Sequence, residues 1–166
     1  MADQLYFEDV EVGSKVKPLV KKPDNQQLVK WAGASGDFYQ IHYDKDFALG
    51  NNLPGLIVHG ALKSAWLGEL LTNWIGEDGT IRNYGCSYRG MDVPGDTLTC
   101  TGTVTKKYAE GDENIVECEI WLEKLQYGDP NQNWFCEGEE DCSAHLPSLP
   151  RRVFSNEASP SKDLHA

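Results

Sequence analysis

The sequence lacks long basic runs, uninterrupted apolar stretches and paired cysteines, and each absence excludes a class of protein. The 166 residues carry a formal net charge of −11, and the longest basic runs are pairs such as Lys21-Lys22. Nucleic acid and anionic membranes bind to basic surfaces, because counterion release and charge attraction drive that binding. The composition therefore argues against nucleic acid or a membrane as the main partner.

The most apolar stretch, residues 55–75, is too often interrupted to be a membrane span. The residues that interrupt it are His59, Lys63, Glu69 and Asn73. The first residues, MADQLYFEDVEVG, lack the basic and apolar regions of a signal peptide. We therefore expect a cytoplasmic protein. The five cysteines are an odd number without a CxxC pair, which argues against a zinc site or a disulfide framework.

The spacing of apolar residues changes along the chain from a helical period to strict alternation. Asp24 is a predicted N-cap for a helix that begins at the next residue and runs to about Gly33. Residues 61–75 predict a helix that is apolar nearly all round and therefore belongs inside the fold. The order of helices followed by strands predicts a single α+β domain, residues 1–146, with its sheet wrapped on that helix. The composition of residues 147–166 predicts a disordered tail.

About four antiparallel strands are predicted after the long helix. Turn signals, VPGD at 93–96 and EGDEN at 110–114, separate them. The predicted strands cover residues 81–93, 97–105, 115–125 and, with an interruption, 133–146.

A polar loop before the long helix carries the residues with acid/base chemistry. Asp37 and His42 are five residues apart, and a carboxylate and an imidazole in a partly desolvated cleft work together near neutral pH. Spacing alone leaves an alternative, in which Asp37 caps a turn after Ser35-Gly36 and His42 packs or lies on the surface. Gly60 opens the long helix, so its N–H is an unsatisfied donor that can polarise a carbonyl.

Two more polar residues of this loop have structural interpretations. Asp44 is expected to cap a short helix around Phe47. His59 is expected to pack or to hydrogen-bond at the start of the long helix. A direct part in catalysis is the less favoured interpretation of His59.

Three stretches of the chain follow one pattern: GDFYQIHYDKDFA at 36–48, LPGLIVHG at 53–60 and YRGMDVPGDTLTCTGTV at 88–104. They resemble the MaoC-like, or (R)-specific, enoyl-CoA hydratases of the hotdog fold. That family has Gly-Asp-x-Asn-Pro-x-His, then Asp and Phe-Ala, and later Pro and Val-His-Gly. The resemblance covers about residues 5–146.

The resemblance implies a hotdog domain that pairs edge to edge with a second one, as a homodimer or as a heterodimer with a different hotdog chain. It implies reversible syn hydration of a trans-2-enoyl thioester, carried by CoA or a carrier protein, to the (R)-3-hydroxyacyl thioester. That chemistry belongs to fatty acid or steroid metabolism and needs neither a metal nor an organic cofactor. Asp37 and His42 would activate the water, and the Gly60 N–H would hold the thioester oxygen.

The chain departs from the family pattern at Tyr39-Gln40, which replace Asn-Pro, and at Gly68, where some relatives have Ser. Tyr39 either fills or gates the cleft or packs as core, and we favour packing. Ser64 and Gly68 predict a roomy acyl pocket. Arg89 is a candidate contact for the CoA phosphates, with a solvated strand position as the alternative.

Two other functions stay open at this level. A hotdog thioesterase needs an acid on the long helix, where Glu69 is the only one. A hotdog subunit without activity of its own would complete a partner's site or bind an acyl chain. The intact Asp37 and His42 argue against a purely supporting role, whereas Tyr39-Gln40 keep that role open.

Overall fold

The structure, a computed structural model, describes residues 4–124, 135–136 and 142–147. Three helices and six strands form its framework, and every strand pair is antiparallel. The helices are α1 (Asn25–Ser35), α2 (Lys45–Gly50) and α3 (Gly60–Ile75). The strands are β1 (Lys15–Lys21), β2 (Thr80–Asn83), β3 (Leu98–Glu110), β4 (Glu113–Lys124), β5 (Phe135–Cys136) and β6 (Cys142–His145). The predicted α+β class is confirmed.

The strands form one sheet in the order β1-β3-β4-β6-β2, and β5 also pairs with β4. Strands β3 and β4 are its centre and are joined by the tight turn predicted within EGDEN. On the far side of β4, β6 pairs near its beginning and β5 near its end. Strands β1 and β2 are therefore the two edges of the described sheet.

Helix α3 packs on one face of this sheet, as its apolar sequence predicts. The inner face of β3 carries the buried Leu98, Cys100, Gly102 and Val104, and half-buried threonines alternate with them along the strand. At Gly102 a Cβ would lie 2.7 Å from the carbonyl oxygen of Glu119, so the close pairing of β3 and β4 requires glycine here. The buried side chains of α3 are Leu62, Lys63, Trp66, Leu67, Leu70, Leu71 and Ile75. Burial of each large apolar side chain contributes about 1.5–3 kcal/mol.

Local signals set the ends of the two shorter helices. Asp24 accepts a hydrogen bond from the Gln27 N–H at 2.7 Å and so caps α1 as predicted. The helix runs two residues further than expected and ends where Gly36 adopts a φ of 78°. Asp44 likewise caps α2 by accepting from the Phe47 N–H at 3.0 Å. Asp37 therefore lies directly beyond one helix, and His42 directly before the next.

The strand predicted over residues 81–93 is only partly correct. Strand β2 ends at Asn83, and residues 84–93 belong to no described strand or helix. Asp92 within this segment is buried against Lys63 of α3 at 2.8 Å. Side-chain bonds to the helix and a backbone bond from the Val58 N–H to the Asp92 carbonyl hold this part of the chain, which pairs with no described strand.

The predicted tail, residues 147–166, lies outside the described residues except for Pro147, and the domain boundary at 146 stays a prediction. The middle of the last predicted strand, 137–141, also lies outside them. Of the helices in the described part of the chain, none combines the length and apolar character needed to cross a bilayer.

Candidate active site

Asp37 and His42 face each other across the loop that joins α1 to α2. His42 ends a short 3₁₀ turn, Gln40–His42, and its Nε2 lies 3.7 Å from Oδ2 of Asp37. That separation is too long for a direct hydrogen bond, but it allows both groups to contact one water molecule. The structure therefore brings the two residues together as the acid/base hypothesis requires.

The protonation of His42 follows from its second nitrogen. His42 is only 7% exposed, and its Nδ1 lies 2.7 Å from the carbonyl oxygen of Ile57. A carbonyl oxygen only accepts hydrogen bonds, so Nδ1 carries the proton and donates it to Ile57. In the neutral ring the lone pair is then on Nε2, which faces Asp37 and is ready to accept a proton.

The two oxygens of Asp37 have different surroundings. Oδ1 accepts a hydrogen bond from the Tyr39 N–H at 3.3 Å, whereas Oδ2 faces His42. The turn cap that was the alternative to an acid/base role is therefore present, but it occupies only one oxygen. The Asp37 side chain is 45% exposed, so the pair lies at a solvent-accessible opening next to a buried imidazole.

His59 joins both residues of the pair. Its ring stacks on that of His42, with centroids 3.7 Å apart and planes at 19°. His59 is fully buried, and its Nε2–H donates to the carbonyl oxygen of Asp37 at 3.3 Å. The expected hydrogen bond at the helix start is confirmed. Its link to both Asp37 and His42 was missed, and the only sequence signal was that His59 precedes Gly60.

His59 is held as a neutral imidazole. Burial lowers the pKa of His59 and a charge on His42 lowers it further, while the bond to Asp37 and the charge of Asp37 act in the opposite direction. Nδ1 of His59 is buried without a hydrogen-bond partner among the described residues. A neutral ring accepts this environment more readily than a charged one.

The same three side chains have donor atoms within 4.8 Å of one another, close enough for a shared metal ion. Two imidazoles that bind one ion must direct their in-plane lone pairs to a common point. Rings stacked at 3.7 Å and 19° keep their lone pairs in two nearly parallel planes instead, which do not meet near the rings. The arrangement fits a metal ion poorly, and the expectation of a site without a metal or cofactor stays a prediction.

Gly60 lies at the start of α3, with His59 in the N-cap position. His59 makes no side-chain cap there, and the first helical N–H groups have no partner within the helix. A Cβ at Gly60 would lie 3.1 Å from the ring of Tyr88. The third predicted catalytic residue is therefore next to the stacked histidines, beneath an aromatic side chain.

The model of the MaoC like domain family matches residues 9–120 of the chain. The chain belongs to the MaoC-like domain family. An (R)-specific enoyl-CoA hydratase of Rhodospirillum rubrum is 30% identical over 101 residues, which span 60% of this chain and 69% of that protein. Membership confirms the resemblance stated from the motifs.

Two further comparisons concern fold and length. The MaoC-like chain superimposes on the (R)-hydratase from A. caviae involved in PHA biosynthesis with a TM-score of 0.70 and 23% identity, covering 84% of this chain and 99% of that one. This likeness confirms the hotdog fold. The fatty acid synthase subunit beta of Saccharomyces cerevisiae is 37% identical over 70 residues, or 41% of this chain, but the match spans only 3% of that protein.

Two predicted substrate contacts of this MaoC-like chain, Tyr39 and Arg89, are exposed. Tyr39 is 57% exposed and places its ring edge-on to His42 and Phe47. The favoured prediction that Tyr39 packs as core is therefore wrong, because more than half of the residue is exposed. Arg89 is exposed on the segment that follows β2. Contact of either residue with substrate stays a prediction.

The other two predicted substrate contacts, Ser64 and Gly68, are covered by Tyr84. The Tyr84 hydroxyl lies 2.8 Å from Oγ of Ser64 and donates to the Ser64 carbonyl. A Cβ at Gly68 would touch the same ring at 4.0 Å. The roomy pocket inferred from small residues on α3 is thus partly filled by an aromatic side chain from a distant segment.

Proposed function

We propose that the chain catalyses the reversible syn hydration of trans-2-enoyl thioesters to (R)-3-hydroxyacyl thioesters. The observation that carries the proposal is the Asp37–His42 pair beside the first N–H of α3. Supporting it are the 3.7 Å separation of the two reactive atoms and the family of the chain. The proposal covers thioesters of CoA or of a carrier protein and names no particular acyl group.

The pair handles the protons of the reaction. A water molecule between Oδ2 of Asp37 and Nε2 of His42 directs a lone pair towards C3 of the enoyl group. The hydroxyl adds to C3, the pair takes one proton from the water, and the pair returns one proton to C2. Its net protonation is unchanged after one turnover. Because both groups lie on one side of the cleft, both additions occur on the same face, which is the syn outcome.

Gly60 supplies the third function. Attack at C3 moves negative charge onto the thioester oxygen, and a free N–H at a helix N-terminus stabilises that charge. Glycine allows the oxygen to approach the backbone, where a side chain would interpose carbon atoms. Run backwards, the same three groups dehydrate a 3-hydroxyacyl thioester.

The thioesterase alternative is disfavoured by the state of Glu69. Both of its carboxylate oxygens lie 2.7 Å from Nζ of Lys21. A carboxylate engaged in this way is a weaker nucleophile or base than one that faces the substrate. Glu69 also lies nine residues beyond Gly60, more than two helical turns away.

A second hotdog chain is the proposed partner, either a copy of this one or a different chain. The observation that favours it is a set of exposed apolar side chains, which a lone subunit would leave in contact with water. Phe38, Tyr39 and Tyr43 are exposed on the loop that carries the pair, and Tyr88 and Met91 on the segment that follows β2. The alternative function is that of a subunit without activity of its own, which would complete the active site of a different hotdog chain. A cytoplasmic location stays a prediction.

The test follows the loss of enoyl-thioester absorbance with crotonyl-CoA as the first substrate. Asp37→Asn and His42→Ala are each expected to lower kcat/KM by about 10²-fold or more, as loss of an acid/base group does. Asp46→Asn, a neighbouring exposed acid on α2, is the matched control and keeps the activity. Hydration that survives both substitutions overturns the mechanism, and release of free thiol favours the thioesterase. Activity only in the presence of a second chain favours the supporting role.

A further inference from the structure

The face of α3 that begins at Gly60 is covered by two tyrosines. Gly60, Ser64 and Gly68 recur every four residues and so share one side of the helix. Tyr88 lies over Gly60, and Tyr84 lies over Ser64 and Gly68. The small residues create a groove in the helix surface, and the rings of Tyr84 and Tyr88 occupy it.

The spacing of the two tyrosines matches the groove. Eight residues of helix, from Gly60 to Gly68, rise about 12 Å. Four residues of chain, from Tyr84 to Tyr88, can span up to about 13 Å. The segment between them therefore runs antiparallel to α3, with one ring at each end of the groove.

Tyr84 is fixed in place by Ser64. Its hydroxyl donates to the Ser64 carbonyl, so the Ser64 hydroxyl, 2.8 Å from the same oxygen, is the donor of the second bond. Burial raises the pKa of Tyr84 to about 12, so the hydroxyl keeps its proton at neutral pH. The ring is held across the groove at the level of Gly68.

The far end of the segment is fixed by Lys63. Its Nζ lies 2.8 Å from Oδ2 of Asp92 and donates to the carbonyl oxygen of Gly90 at 2.8 Å. Lys63 and Asp92 are 5% and 4% exposed. Between these anchors only a narrow cleft remains, lined by Lys63, Ser64, Leu67, Cys86, Ser87, Tyr88 and Leu122. Residues 84–92 therefore form a covering segment, the cover, whose two ends are attached to one turn of α3.

We propose that Tyr84 is a specificity-determining residue that limits the length of the acyl chain. The inference rests on the proposed function, in which the thioester oxygen binds at the Gly60 N–H. The exposed Tyr88 ring over Gly60 turns aside for the thioester. An acyl chain that leaves this point along the helix then meets Tyr84, whose hydroxyl is bound at Ser64 and whose ring lies at Gly68. Short enoyl thioesters end before the ring, whereas long ones require it to move and to break two hydrogen bonds.

The test compares crotonyl-CoA with octenoyl-CoA for the wild type, Tyr84→Phe and Tyr84→Ala. We expect the wild type to prefer crotonyl-CoA and Tyr84→Ala to shift the kcat/KM ratio towards octenoyl-CoA by tenfold or more. Tyr84→Phe keeps the ring and is expected to keep most of the preference. Tyr108→Ala, a tyrosine at the exposed end of β3, is the matched control. Thermal unfolding of each variant shows that it is folded.

A ratio that stays the same in folded Tyr84→Ala overturns the inference, as does a wild type that prefers octenoyl-CoA. Binding of saturated butanoyl-CoA and octanoyl-CoA separates this inference from the proposed reaction. If no thioester is hydrated but Tyr84→Ala selectively gains affinity for octanoyl-CoA, the reaction is wrong and the role of Tyr84 stands. If no acyl-CoA reacts or binds, both are wrong.

Discussion

Two stretches without strand structure flank the first turns of α3, and different kinds of contact hold them. The loop of residues 36–59 is held mainly by contacts within itself, both between near neighbours such as Asp44 with Phe47 and through the His42–Ile57 and His59–Asp37 bonds, which join residues 15 and 22 apart. The segment of residues 84–92 is fixed by side chains of α3 that are 20 to 29 residues away in sequence. One stretch carries the reactive groups, and the other covers the groove beside them.

The comparison teaches that reactive geometry and substrate shape are encoded differently in this protein. The caps and turns of the loop form between residues that are close in sequence, so they appear wherever the local pattern occurs. Its His42–Ile57 and His59–Asp37 bonds form when the loop closes on itself. The bonds of the covering segment form only when this segment and α3 come together. A change in α3 should therefore disturb the cover more than the loop, and four predictions test this difference.

The largest effect is expected from breaking the buried ion pair. Lys63→Met leaves the Asp92 charge buried without its partner, which should lower the free energy of unfolding by about 3–5 kcal/mol in urea denaturation. Lys106→Met removes another lysine–acid pair, but Lys106 is 63% exposed, and such pairs contribute about 0–1 kcal/mol. Equal losses in the two variants would show that the cover is not held in this way.

Gly60→Ala should separate activity from stability. The new methyl group would meet the exposed Tyr88 ring, which can shift, and alanine favours a helix over glycine by about 0.5–1 kcal/mol. Hydration should nevertheless fall by about tenfold or more, because the methyl group hinders approach of the thioester oxygen. Gly33→Ala in α1, where a Cβ has open space, is the control. Unchanged activity in Gly60→Ala would remove Gly60 from the mechanism.

Asp44→Ala measures how much a local cap contributes to the stability of the loop. Loss of one N-cap costs about 1 kcal/mol, and Asp24→Ala, which removes the cap of α1, is expected to cost a similar amount. Chemical denaturation of the two variants measures both costs. A loss several times larger for Asp44→Ala would mean that the loop depends on distant contacts as much as the cover does.

The smallest effect is a pH dependence that comes from His59. Its pKa is lowered in the folded protein, so below about pH 6.5 the unfolded chain binds the proton more readily. The free energy of unfolding should then fall as the pH drops from about 6.5 towards the lowered pKa, with no such contribution above that range. His59→Gln keeps a donor for the Asp37 carbonyl but removes the titration. The stability advantage of the wild type over this variant should shrink on acidification, and a constant difference would contradict the assignment.

Much of the fold could be predicted because its signals are periodic or local. The apolar period of α3, the alternation in β3 and β4, and the caps Asp24 and Asp44 all have the predicted structures. Extending a strand over residues 84–93 failed for a physical reason. Alternation there reflects contacts with α3 rather than with a neighbouring strand, and the two cannot be told apart by period alone.

By itself the sequence determined the long helix, the alternating strands, the loop that carries Asp37 and His42, and the place of Gly60 at the start of the helix, since these depend on near neighbours and on the spacing of apolar residues. Only the tertiary structure decided that His59 stacks on His42 and that Tyr84 and Tyr88 lie in the groove of α3. These contacts join residues that the chain brings together only after the loop folds or the helix packs on the sheet. No local pattern carries that information, because a tyrosine four residues from another is equally compatible with a strand, a surface and a cover.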